Sequence, residues 1–88
     1  MIYYVYVLKS LKDKKRYVGI TNSLTRRIKQ HNSGQVFTTK SRLPLLLQYA
    51  EQYSSRVSAR QKEKYFKIAA GRRFLDKITS AGGGMADT

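Results

Sequence analysis

Eighty-eight residues without a cysteine make one small domain whose core rests on apolar burial, with neither a disulfide framework nor a thiolate metal site. Eighteen Lys and Arg against five Asp and Glu give a formal charge of +13, far more than solubility requires, which points to an anionic polymer, nucleic acid, as the partner. The apolar run 1–8 is too short for a membrane span and lacks the layout of a signal peptide, so a cytoplasmic protein with no membrane partner is expected.

Residues 2–10 alternate aromatic and β-branched side chains, residues 16–21 do so again, and Leu11-Lys12-Asp13-Lys14-Lys15 between them is turn material. A β-hairpin follows. Pairing Lys9 with Arg16 sets Tyr6 across from Gly19 and Leu8 across from Tyr17, all on one face. A side chain opposite Tyr6 would crowd the ring, whereas Gly19 leaves space for the phenol or for a phosphate approaching the backbone.

Thr21, Asn22 and Ser23 offer N-cap oxygens for a helix over 24–32 that stops at Ser33-Gly34. Its spacings of three and four gather Leu24, Arg27, Ile28 and His31 on the stripe that faces the sheet, with Arg26, Lys29 and Gln30 toward water. An arginine placed against a core face calls for an anion. Residues 35–44 then read as an exposed loop carrying Lys40 and Arg42, and 45–53 as a third, largely buried strand.

Ser54 and Ser55 can cap a helix that runs to about Ala70 and is ended by Gly71. On it Ala59, Glu63, Phe66 and Ala70 fall at spacings of four, three and four, so Glu63 interrupts an apolar stripe and calls for a cation beside it. Asp13, Glu51, Asp76 and Asp87 lack comparable placement. Residues 72–79 form a last short helix that covers the sheet with Phe74, Leu75 and Ile78. The Gly-rich end 81–88 offers nothing to pack and reads as a disordered tail on a domain of residues 1–80. The expected class is mixed α/β (α+β), a three-stranded antiparallel sheet flanked by helices.

The strings Tyr4-Val5-Tyr6 and Tyr17-Val18-Gly19, ten residues between their outer and inner tyrosines Tyr6 and Tyr17, followed by Arg27, His31 and Glu63, resemble the GIY-YIG nuclease superfamily in its small, single-domain bacterial form. The resemblance spans about residues 3–77. It implies a metal-dependent endonuclease that hydrolyses phosphodiester bonds, with DNA ahead of RNA as the substrate and RNA left open by the sequence, in repair or processing of structured DNA. With no appended recognition domain, specificity would come from DNA shape or from a protein partner. Two positions depart from the pattern: Tyr4 replaces the glycine of the first string, and Ile20 stands where several family nucleases carry a lysine.

Phosphodiester cleavage needs an activated nucleophile, positive charge at the phosphorus and help for the departing oxygen. The resemblance implies that Tyr17 is the general base on the attacking water, with Tyr6 hydrogen-bonding nearby. Arg27 would grip the scissile phosphate with its planar fork of donors. His31 would relay the proton or bind phosphate directly. Glu63 would hold one divalent ion, Mg²⁺ or Mn²⁺, because a single carboxylate plus substrate phosphate suits Mg²⁺ and two-metal sites need clustered acids. Gly19, Lys40, Arg42, Arg60 and Lys67 complete the set as nucleic-acid contacts. Each residue also has a structural reading: strand packing for the tyrosines, a core role for His31, and an Arg27–Glu63 ion pair. Together these describe a second class of function, a catalytically silent, basic nucleic-acid-binding module.

Overall fold

The computed structural model describes residues 1–80, so the expected tail at 81–88 lies outside the described residues. The chain runs β1 (Tyr3–Ser10), β2 (Arg16–Thr21), α1 (Leu24–Asn32), a single 3₁₀ turn (Lys40–Arg42), β3 (Leu45–Tyr53), α2 (Arg56–Phe66) and α3 (Ala69–Ser80). The three strands form one antiparallel sheet in the order β2-β1-β3. The α+β class read from the sequence is the class observed.

β1 is the central strand, and its residues Val5 to Leu8 are all buried. Because successive side chains leave a strand on opposite faces, β1 feeds two different layers. Val5 and Val7 join Ala59, Phe66 and Leu75 under α2 and α3, with Val18, Ile20, Tyr49 and Phe74 packed around them. Tyr6 and Leu8 turn the other way, toward Leu45 and the α1 side, where Tyr17, Leu24, Ile28 and Leu43 close over them. The hairpin register is the expected one: Tyr6 pairs with Gly19, Leu8 with Tyr17 and Lys9 with Arg16. A Cβ on Gly19 would lie 2.5 Å from the Tyr6 hydroxyl, so the missing side chain is what lets the phenol lie flat across β2.

Helix α1 has the expected bounds, but its start is held differently. Ser23 occupies the N-cap position without a side-chain cap; Thr21 Oγ1 instead accepts from the Ser23 amide at 3.1 Å. At α2 the expected cap is present, with Ser55 Oγ accepting from the Ser58 amide at 3.2 Å.

Three expectations are corrected. β3 has the bounds read from the sequence but is an edge strand rather than a largely buried one: Leu46 and Leu47 remain 58% and 40% exposed. β1 takes the centre and pairs on both sides, which leaves β3 with one neighbour. Its register against β1 also shifts between Val7 and Leu8. Gly71 does not end α2. That helix stops at Phe66, the chain turns at Lys67 and Ile68, and Gly71 lies inside α3, pressed against the Tyr65 carbonyl and Phe66 backbone. It is a close-approach glycine at the corner between two helices. Finally, the 35–44 loop is not wholly exposed, for Thr39 is buried within it.

Candidate active site

The α1 side of the sheet collects four of the five expected catalytic side chains. Tyr6 comes from the central strand, Tyr17 from its hairpin partner, and Arg27 and His31 from one face of α1, a turn apart. The rings of Tyr6, Tyr17 and His31 form a triangle with centroid separations of 6.2 Å (Tyr6–Tyr17), 5.8 Å (Tyr6–His31) and 4.9 Å (Tyr17–His31). One run of hydrogen bonds threads it. Arg27 Nε donates to the Tyr6 hydroxyl at 3.3 Å, that hydroxyl meets His31 Nε2 at 3.1 Å, and His31 Nδ1 meets Thr39 Oγ1 at 2.7 Å.

Charge and burial assign the protons in that run. Burial pushes the Tyr6 phenol above its ordinary value against the opposing pull of its bond from Arg27, so Tyr6 keeps its proton. Burial, helped by the Arg27 charge, holds His31 below the usual imidazole range, so His31 is neutral at pH 7. The arrangement that satisfies every group has Tyr6 O–H donating to Nε2 and Nδ1–H donating to Thr39. Arg27 is driven the opposite way: its bond to Tyr6 raises its value, and its charge is secure.

His31 is fully buried with both ring nitrogens engaged, so the expected direct contact with phosphate is closed to it. It orients Tyr6 instead. Gln30, expected to face water, is half-buried and accepts from Arg27 Nη1 at 3.1 Å. Thr39 was invisible to the sequence reading, because a threonine in a loop eight residues past His31 carries no periodic signal.

Arg27 opens onto a cavity of about 310 Å³ lined by Tyr3, Ile20, Thr21, Asn22, Arg26, Gln30 and Arg56. Three guanidinium groups share this hollow, and no carboxylate lines it. Each of the four acids among the described residues has its ion pair elsewhere: Asp13 with Arg42, Glu51 with Lys62, Asp76 with Arg16 and Glu63 with Lys67. The Arg27–Glu63 pair that would have made both residues structural does not form.

Tyr17 lines a second cavity of about 590 Å³ together with Lys14, Lys15, Arg16, Arg42, Lys67 and Arg72. Of the expected nucleic-acid contacts, Arg42 and Lys67 therefore stand beside Tyr17, and Gly19 lies under the Tyr6 phenol. Arg60 lines a separate hollow on α2 with Arg56 and Lys64, and Lys40 is exposed on the loop after α1.

Glu63 is the member that the fold holds apart. α2 packs on the Val5–Val7 face, the opposite side of the sheet from Tyr6. The Glu63 side chain is 17% exposed, and Oε2 is 3.3 Å from Lys67 Nζ one turn on. Among the described residues no three His, Cys, Asp or Glu come together. The donor set is thus one partly open carboxylate whose ammonium partner lines the Tyr17 cavity. That fits an ion which takes most of its shell from water and phosphate oxygens, as Mg²⁺ does, and it does not fit an all-protein cage.

Comparison with known proteins bears on the family and the fold. A family model described as the GIY-YIG catalytic domain matches residues 2–74. A UPF0213 protein of Bacillus licheniformis is 46% identical over 66 residues, 74% of this chain and 67% of that protein. One from Clostridium perfringens is 40% identical over 78 residues, 88% and 83% of the two chains. The solution structure of the UPF0213 protein of Bacillus halodurans is similar with a TM-score of 0.56 and 35% identity, over 96% of this chain and 88% of that one. No helix among the described residues is long and apolar enough to cross a membrane. Two paired tyrosine strands, an arginine and a histidine on the helix that follows, and a match over most of the sequence make this chain a member of the GIY-YIG nuclease family.

Proposed function

We propose that the chain is a metal-dependent endonuclease that hydrolyses phosphodiester bonds in DNA, in repair or processing of structured DNA. One observation carries the reading: Arg27 is positioned by a neutral phenol and an amide, so its charge is uncompensated and faces a hollow shared with Arg26 and Arg56. A guanidinium used for structure is usually neutralised by a carboxylate; one held by neutral acceptors is kept for an incoming anion.

The roles follow from the contacts. Arg27 binds the scissile phosphate and stabilises the charge that accumulates on its oxygens during attack. Tyr6 fixes the Arg27 fork, and His31 and Thr39 fix Tyr6. Tyr17, in the cationic cavity at the start of β2, takes the proton from the attacking water. Glu63, across the sheet from Arg27, would hold the divalent ion where its partner Lys67 meets the Tyr17 cavity, and when bound the ion would add positive charge on that side of the phosphate path. Lys14, Lys15, Arg42, Lys67 and Arg72 line the path of the DNA backbone, and a protein partner would supply any sequence preference.

The test is incubation of the purified protein with labelled duplex, flap, branched and single-stranded DNA and with RNA, in Mg²⁺, in Mn²⁺ and in chelator, beside Arg27→Ala and Glu63→Ala. Cleavage should require the metal and fall by about 10²–10³-fold in Arg27→Ala. Salt-sensitive binding with no metal-dependent cleavage would identify a silent binding module instead. Equal cleavage by all three proteins would reject the assignment.

A further inference from the structure

Every tyrosine and the other two phenylalanines are buried or half-buried, while Phe37 stands 80% exposed on the loop between α1 and β3. The loop is not a loose one at that point. The Thr39 and Lys40 amides both donate to the Val36 carbonyl, at 3.1 and 2.9 Å, closing a tight turn. That turn sends Thr39 inward to His31 and leaves Phe37 and Lys40 outside, with the Lys40 ammonium 5.0 Å from the centre of the Phe37 ring. The same short segment therefore anchors the Tyr6–His31 hydrogen-bond run and presents an uncovered aromatic face with a cation beside it.

We propose that Phe37 is a stacking platform for an unpaired base of the DNA substrate and that Lys40 takes the adjoining phosphate. The inference rests on the nuclease reading and narrows its substrate to DNA with a single-stranded segment. An aromatic side chain stacks on any base whose face is free, and the ammonium supplies the backbone contact. Inside a continuous duplex both faces of each base are already stacked, so the ring finds a partner only where pairing has ended. The other exposed apolar side chains lack this pairing of features: Leu46 and Leu47 on β3 are aliphatic and offer a base no π-face.

Affinities measured in chelator, where nothing is cut, test the idea. The probes are a blunt duplex, the same duplex with a single-stranded flap, an oligothymidylate and the matching oligouridylate. Phe37→Ala should bind the flap and the oligothymidylate roughly tenfold more weakly and the blunt duplex about as well as the parent. Phe37→Trp should restore binding, and since the chain has no tryptophan, its fluorescence should be quenched by oligothymidylate and not by blunt duplex. An exposed ring leaves the melting temperature a clean control for folding. Equal weakening on every probe, no weakening on any, loss confined to oligouridylate, or an unquenched indole would each overturn the proposal. Flap binding through Phe37 by a protein that cuts nothing in Mg²⁺ would instead sink the nuclease reading and leave the platform standing.

Discussion

On the α2 and α3 side of the sheet, Val5 and Val7 sit among Ala59, Phe66 and Leu75, and the rings of Tyr49, Phe66 and Phe74 pack at 5.3 to 6.1 Å. On the α1 side the same strand turns Tyr6 toward Arg27, His31 and Thr39, so volume that would elsewhere hold aliphatic side chains holds a hydrogen-bonded run of polar groups. The first face gains from every apolar contact. The second must satisfy each polar group it buries, and none of its buried side-chain atoms among the described residues is unpaired. One central strand thus serves both as the spine of a small core and as the mount for a charged site.

If the faces divide the work in that way, single substitutions should separate stability from chemistry. Tyr17→Phe should lower cleavage by about 10²–10⁴-fold, the usual worth of a general base, with DNA affinity in chelator and the melting temperature close to the parent. An unchanged turnover beside weakened binding would give Tyr17 a contact role only. Leu75→Ala, in the core under α2 and α3 and away from both cavities, should do the reverse, costing about 2–5 kcal/mol in urea unfolding, a large share of what a domain this small holds, while cleavage per folded molecule at low temperature stays near normal.

Thr39→Val probes the link between the loop and the site. It keeps the shape but strands the buried His31 Nδ1–H, so a loss of about 1–3 kcal/mol is expected, with weakened phosphate binding as the Tyr6–Arg27 geometry loosens. A variant as stable and active as the parent would show that His31 needs no partner there.

The smallest effect is the pH dependence of stability. Burial and the Arg27 charge hold the folded His31 below its ordinary value of 6.5, so between the folded and unfolded values the unfolded chain binds more protons. His31 therefore favours folding fully above about pH 6.5, and that contribution declines as the pH falls below it. Tyr6 bounds the other end: its raised value makes the folded chain keep the phenolic proton, a contribution present below about pH 10 and lost as the pH rises through the folded value. Melting temperatures across this range should show both limbs, and Arg27→Ala should shallow the acidic one by removing the charge that opposes imidazolium. An acidic limb unchanged in Arg27→Ala would leave burial as the sole cause.

The hairpin shows how far local pattern reaches. Alternating residues on both sides of a polar turn fix its register, and the need for Gly19 is legible from it because a glycine opposite a tyrosine is a statement about two adjacent strands. The face of α1 that carries Arg27 and His31 was legible for the same reason, since helical spacing alone places them on the stripe with Leu24 and Ile28. The break at Lys67 and Ile68 was not, because Gly71 reads as a stop signal until Tyr65 and Phe66 are seen pressing on it. Nor was the exposure of β3, since an apolar run does not say whether its strand has one neighbour or two.

The sequence by itself determined the three strands, α1, the α+β class, the hairpin register and the side chains that share the α1 stripe, because each depends on residues close along the chain or on a two-residue or 3.6-residue period. Tertiary structure alone decided that His31 is sealed between Tyr6 and Thr39, that Arg27 escapes pairing with an acid, and that Glu63 lies across the sheet beside Lys67. Those outcomes turn on which helix covers which face of β1 and on where a loop threonine comes to rest, and such long-range packing leaves no periodic trace along the chain.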